Sequence, residues 1–255
     1  MLTRYRAFSF VCILAVLAIA SWFASASLAH AAGTGDDPTP TADVLARREA
    51  AVKARLERDT IRSPGSLSSS SEGIVTPLAL DVPYRYLYTP SHKQQTSYWC
   101  GPATCQVIDD YHGAYAAQRT YASYMKTTSA GTDFSLVDDC LRRFTGKPYY
   151  YYGALSESAF NVRISDSLMN HGMPLAADVK IIASVWPYYS YNHAGHIVPI
   201  EAFDWRYGTV RLNDVFDEHD YYALGGATFG HTTYDRAVVW NGVYNHFRRA
   251  VVSAP

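Results

Sequence analysis

Cysteine is scarce in this chain of 255 residues, with four in all, at positions 12, 100, 105 and 140. Disulfides can therefore contribute one or two links at most, and any cysteine chemistry rests on very few thiols. An excess of charge of one sign is also missing: 22 basic residues stand against 23 acidic ones, for a net charge of −1. That balance excludes the basic surface that nucleic acid or an anionic membrane requires. Beyond residue 23 no apolar run is long enough to span a bilayer. No internal repeat is visible. The pair His193 and His196 has no carboxylate or cysteine at ligand spacing, so neither a metal nor any other cofactor is expected.

The long apolar run that does exist comes at the start. Arg4 and Arg6 precede a stretch from Ala7 to Phe23, and small residues then lead to Ala29-His30-Ala31. A charged beginning, an apolar middle and an A-x-A end make residues 1–31 a secretory signal peptide, which predicts a secreted protein with no stable membrane association after cleavage. Cleavage would leave 20 basic against 23 acidic residues and three cysteines. An odd count outside the cell predicts one free thiol beside one bridge. Cys100 and Cys105 on one helix would lie about 7.5 Å apart along its axis, beyond the usual reach of about 7 Å for a disulfide. Cys105–Cys140 is then the candidate bridge, with two buried, unpaired thiols as the alternative.

Residues 32–76 differ in composition from the rest of the chain. Thr34 to Thr41 is rich in Gly, Pro, Asp and Thr, Ala42 to Arg58 is a charged, alanine-rich helix former, and Ser63 to Ser71 is a flexible linker. The stretch reads as a pro-segment or as a linker with a short charged helix, a solvated spacer being preferred because its apolar stripe (Leu45, Val52, Leu56) is thin. Residues 77–255 supply enough chain for one core. Tyr84, Tyr86 and Tyr88 alternate as in a short strand. A helix is expected to start at Cys100, with Pro102 in its first turn and Gly113 after its end. A second spans Phe134 to Phe144, capped by Thr132 or Asp133 and ended by Gly146, and a third spans Asn161 to Asn170. Strands are expected at Leu175–Lys180, Ile197–Asp204 and Thr209–Asp214, and a closing helix at Asp235–His246. Helices first and strands later predict an α+β fold, with an N-terminal helical lobe and a C-terminal antiparallel sheet.

Chemistry concentrates in three places. Gln94-Gln95-Thr96-Ser97-Tyr98-Trp99-Cys100-Gly101-Pro102-Ala103 puts a thiol at a helix start. Gly195-His196 leads into an apolar strand, and Leu212-Asn213-Asp214 ends the next one. A thiol at a helix N-terminus beside an imidazole ionises more readily. His196 is the preferred base among the nine histidines, because it leads into a rigid strand. His112 and His171 read as helix-end residues, the former as a favourable C-terminal cation, and His219, His231 and His246 read as surface. Asp214 or Asn213 would orient the imidazole through its second nitrogen. A helix-start N–H and the Gln94 amide, with Gln95 as the fallback, would stabilise an oxyanion. Gly101 would let a substrate backbone approach, and Trp99 and Gly195 would flank the substrate.

These blocks resemble the papain-fold peptidases of the double-glycine, bacteriocin-leader-processing type, in a stand-alone secreted form without a transporter. Such families place a glutamine about six residues before Cys-Gly-Pro-Ala, a histidine at a strand start and an aspartate at the end of the next strand. The likeness covers roughly Val82 to Asp214. It implies a papain-like fold, a Cys100 nucleophile, a His196 base, an Asp214 orienter, a Gln94 oxyanion donor and a peptide or protein substrate. Val215 stands where the pattern has proline, which leaves Asp214 and Asn213 both open, and the tail from Phe216 to Pro255 has no counterpart.

The leading expectation is thus a secreted thiol hydrolase of peptide or amide bonds. A cell-wall peptide amidase and a protein acyl transferase would use the same residues. A non-catalytic peptide- or glycan-binding module is the reading of a different class. Its support is the tyrosine load, with Tyr149 to Tyr152 and Tyr188, Tyr189 and Tyr191 as candidate groove lining.

Overall fold

The computed structural model describes residues 41–61 and 83–255. The expected signal peptide and the serine-rich linker lie outside these. Ala42–Ile61 forms helix α1. It is not wholly solvated: Arg48 Nη1 donates to Ser190 Oγ and, at 2.7 Å, to the Leu224 carbonyl.

The expected strands become the middle of one antiparallel sheet. Its strands are β1 (Tyr84–Tyr86), β2 (Tyr150–Tyr152), β3 (Leu175–Ile181), β4 (His193–Asp204), β5 (Thr209–Asp214), β6 (Gly230–Asp235) and β7 (Val251–Ser253), in the order β2-β7-β3-β4-β5-β6, with β1 beside the far end of β4. Alternation along β3 sorts its side chains to two faces. Leu175, Ala177, Val179 and Ile181 join one buried cluster, and Ala176 joins the other. Each face is covered by helices, as a two-sided sheet requires. Helix α2 (Cys100–Tyr111), α3 (Gln118–Tyr124) and α4 (Val137–Thr145) cover the second cluster, while α5 (Glu157–Ser165) and α6 (Arg236–Asn245) cover the first.

Local sequence accounts for the helix ends. Asp133 accepts from Ser135 N, and a 3-10 turn at Phe134–Leu136 leads into α4. Gly146 ends α4 in the left-handed region, at φ 66°. The third helix starts earlier than expected, at Glu157, because Ser156 accepts from Ala159 N as its cap. It then loosens into a π-helical turn over Asp166–Asn170.

Three further expectations are corrected. Cys100, Cys105 and Cys140 are all free thiols, and all are buried. Cys105 and Cys140 meet between α2 and α4 as small apolar groups, not as a bridge, and burial first, then hydrogen bonding with Cys140, pushes the Cys105 thiol well up. His112 is not a helix-end cation: burial, aided by Lys147, lowers it to about 4, and its ring meets Tyr149 Oη at 3.0 Å. His246 is buried and His231 is half-buried, so neither is a surface group.

Candidate active site

Helix α2 places Cys100 at its first position. Trp99 is the N-cap and makes no side-chain capping bond. The first helical bond runs from Ala103 N to Trp99 O at 2.9 Å, and Pro102 has no N–H. The N–H groups of Cys100 and Gly101 are thus the ones a helix start leaves without an intrahelical acceptor. Packing within the chain gives Gly101 a reason of its own. A Cβ on it would lie 2.5 Å from Thr132 Oγ1 and 2.7 Å from Thr132 Cβ. The bare Cα makes room for Thr132. Gly101→Ala should cost about 1–3 kcal/mol of stability through overpacking, read as a lower thermal midpoint.

His196 sits inside β4, not at its start, because the strand begins three residues earlier, at His193. The register with β3 passes from Val179↔His196 to Ile181↔His193, so β4 carries an extra residue at Ala194-Gly195. Such a bulge re-aims the neighbouring side chain. Gly195 itself is buried in that bulge, and Trp99 is half-buried.

The imidazole of His196 is held on one side by Asp214, with Nε2 2.8 Å from Oδ1. Asn213 points elsewhere: its Nδ2 donates to Thr89 O, Thr89 Oγ1 and Pro90 O. The other ring nitrogen, Nδ1, is left for Cys100. Burial lowers the pKa of His196, but the charge of Asp214, its hydrogen bond and the Cys100 thiol together outweigh this and raise it to about 10. An imidazolium is therefore the favoured state at neutral pH. Both groups are closed off, Cys100 at 0% and His196 at 1% exposure. Water is largely excluded, which strengthens every charge interaction inside.

Gln94 is tied to the segment just before α2. Its Nε2 donates to Thr96 O at 2.7 Å, the carbonyl that also accepts from Trp99 N at 3.3 Å. The amide therefore lies beside the N-cap of α2. Its backbone N–H donates to Val215 O, next to Asp214, at 2.8 Å. Gln94 is buried while Gln95 is exposed, which separates the two candidates. One amide hydrogen of Gln94 remains beyond the bond to Thr96.

A thiol close enough to raise the imidazole's pKa, a carboxylate on the far ring nitrogen and an amide near the helix start match the constellation of a thiol hydrolase. The Peptidase_C39 like family matches residues 80–242. The chain belongs to this family. It is a cysteine peptidase with a papain-like fold. Among solved structures it is similar to a C39-like peptidase from Bacillus anthracis, at 12% identity and a TM-score of 0.44, over 68% of this chain and 98% of that one. It is also similar to the peptidase domain of Streptococcus ComA, a bifunctional ABC transporter involved in quorum sensing, at 10% identity and a TM-score of 0.43, over 65% of this chain and 98% of that one. A third likeness is to a double glycine motif protease from an AMS/PCAT transporter, solved with its leader peptide, at 12% identity and a TM-score of 0.41, over 66% and 92%. No curated protein matches the chain.

Several groups around the peptidase site were not legible in its sequence. Tyr189 Oη donates to Asp214 Oδ2 at 2.5 Å, and Phe216 N donates to Oδ1 at 3.0 Å. Burial, then Asp214, raises the Tyr189 phenol well above its ordinary value, so it stays a donor. Tyr149, Tyr188 and Tyr191 are buried as well, leaving only Tyr150 and Tyr151 of the proposed groove lining exposed. One layer behind, His193 Nε2 lies 3.0 Å from Glu218 Oε1, both fully buried. Glu218 also accepts from the N–H groups of Ser190 (2.7 Å), Tyr191 (2.8 Å) and Gly226 (2.6 Å). It thereby holds the loop that carries Tyr189. Its acidic surroundings, Asp217 to Asp220, look like a solvated turn in sequence. Glu218→Gln turns an amide donor toward these N–H groups and should cost about 3 kcal/mol. The thermal midpoint would then fall by about 10 °C.

Ser91, His231 and Glu201 imitate a second catalytic row, with Ser91 Oγ 3.2 Å from His231 Nε2 and His231 Nδ1 2.7 Å from Glu201 Oε1. The Ser91 hydroxyl instead donates to Asn213 Oδ1 at 2.8 Å, and Glu201 also pairs with Arg211 at 2.9 Å and with Thr89. This network ties the loop before α2 to β4, β5 and β6. Among the described residues no group of three or more His, Cys, Asp or Glu could hold a metal ion, and no helix is long and apolar enough to cross a membrane.

Proposed function

We propose that this peptidase acts through a triad of Cys100, His196 and Asp214, with Gln94 as an oxyanion donor, and that it hydrolyses peptide bonds outside the cell after its N-terminal 31 residues are removed. The observation that carries the reading is the placement of His196 between Cys100 and Asp214. The thiol proton already resides on His196 Nδ1, and the thiolate sulfur attacks the carbonyl carbon of the scissile bond. The negative oxygen is met by the helix-start N–H and by the Gln94 amide. Collapse breaks the C–N bond, and His196 returns its proton to the leaving amine. Water, deprotonated by the same imidazole, then releases the acyl group from sulfur. Asp214 holds the ring in the required tautomer throughout.

Export rests on the charged, apolar and small-residue segments of residues 1–31. The test is a proteome-derived peptide library digested in parallel with wild type and Cys100→Ala. New termini produced only by the wild type support the proposal, and identical digests end it. If soluble peptides come only from purified cell wall, the substrate is the wall stem.

A further inference from the structure

We infer that Gln118 is a positioning residue for Gln94. The inference rests on the reading of Gln94 as an oxyanion donor. Gln94 belongs to a stretch of chain between β1 and α2 that forms no helix or strand, so its backbone groups need partners from elsewhere. On one side the Gln94 N–H donates to Val215 O at 2.8 Å. On the other side Gln118 bonds the peptide groups on both flanks. Its Nε2 donates to Lys93 O at 2.8 Å, and its Oε1 accepts from Gln95 N at 3.0 Å. One side-chain amide thus supplies the donor and the acceptor that a neighbouring strand would supply. Glutamine has both groups at this reach, whereas glutamate would keep only the acceptor.

Gln118 is 1% exposed and is the first residue of α3. The start of α3 is in turn fixed to the nucleophile helix. Gln106 Nε2 on α2 donates to Ala116 O at 3.0 Å. Tyr121 Oη accepts from Ala116 N at 2.8 Å and donates to Asp109 Oδ2, also on α2, at 2.7 Å. Position therefore passes from α2 through residues 116–118 to the backbone around Gln94. Cys100 and its oxyanion donor share one frame although no regular element joins them. Gln118 touches neither the sulfur nor the imidazole, so its effect runs through Gln94.

Two probes separate this role from a general loss of structure. A small peptide aldehyde adds reversibly to sulfur: a C–S bond forms, and the carbonyl π pair becomes an oxygen lone pair in the oxyanion position. Iodoacetamide alkylates the same sulfur by displacing iodide and forms no oxyanion. Gln118→Ala should weaken aldehyde binding about tenfold, and Gln94→Ala about a hundredfold. Both should alkylate within twofold of wild type. The double variant should bind the aldehyde no more weakly than Gln94→Ala alone, because the two act in series. Losses that multiply, or an unchanged affinity in Gln118→Ala, overturn the inference. An unchanged affinity in Gln94→Ala instead overturns the oxyanion reading on which it rests. If Gln118→Ala fails to fold, Gln118→Glu keeps the bond to Gln95 and should show a smaller loss in the aldehyde arm only. An equal loss with both probes would mark a structural role.

Discussion

Cys100→Ala should abolish hydrolysis, leaving a rate at least about 10⁴-fold below wild type. The expectation follows from the division of labour at the site. In the proposed mechanism the hydrogen-bond donors at the start of α2 act on an oxyanion that forms only after sulfur has attacked, so without the sulfur they have nothing to act on. His196→Ala should cost a similar factor, because the thiol then has no acceptor for its proton. The double variant should be hardly worse than either single one, since groups that act as a unit are not additive. Initial rates on one peptide identified from the library would check all three. Stability should change little in Cys100→Ala, as alanine fills most of the space of a thiol, so a normal thermal midpoint beside a lost rate separates chemistry from folding. Equal rates for wild type and Cys100→Ala would end the triad.

The residues that carry local signals were the ones legible in the sequence. Cys100 opens α2 because Gly-Pro follows it, Asp133 and Gly146 bound the second helix by capping chemistry, and Thr209–Asp214 matches β5 to the residue. The misses share a cause. Strands β2 and β7 have three residues each, too few for a period to show, and α3 has seven. The beginning of β4, His193 to Gly195, reads as a polar loop because the group that makes burial of His193 tolerable, Glu218, lies 25 residues away in sequence. Tyr189 looked like groove lining, since nothing near it in the chain announces a bond to Asp214. The Gly101 requirement is likewise set by Thr132, which only the packed fold brings close. Side-chain partners across long sequence separations decide the site, whereas periodicity and caps decide the elements that carry it.

Asp214→Asn is expected to have the next largest effect, and its signature is a shift in pH dependence. In wild type the imidazolium of His196 persists to about pH 10, because Asp214, with help from Cys100, outweighs a burial that pushes the other way. An asparagine removes the largest raising cause and leaves the burial, opposed only by Cys100, so the ring should lose its proton well below pH 10. The alkaline limb of kcat/KM should move from about pH 10 toward neutrality. At pH 7.5 the rate should fall by about 10⁴, since the amide also favours the wrong tautomer. Stability gives an independent check. A histidine whose pKa is raised on folding contributes stability that is complete below about 6.5 and is lost as pH climbs through its folded value. The thermal midpoint of wild type should therefore decline toward about pH 10, and that of Asp214→Asn should be flat above about pH 8. Burial also raises Asp178, which lies close enough to feel His196, to about 8. Its own contribution is lost between the ordinary carboxylate range and that value, mostly below the diagnostic window. A wild-type alkaline limb at the same pH as that of Asp214→Asn would mean that Asp214 does not hold the imidazole in its charged form, whatever the distance between them.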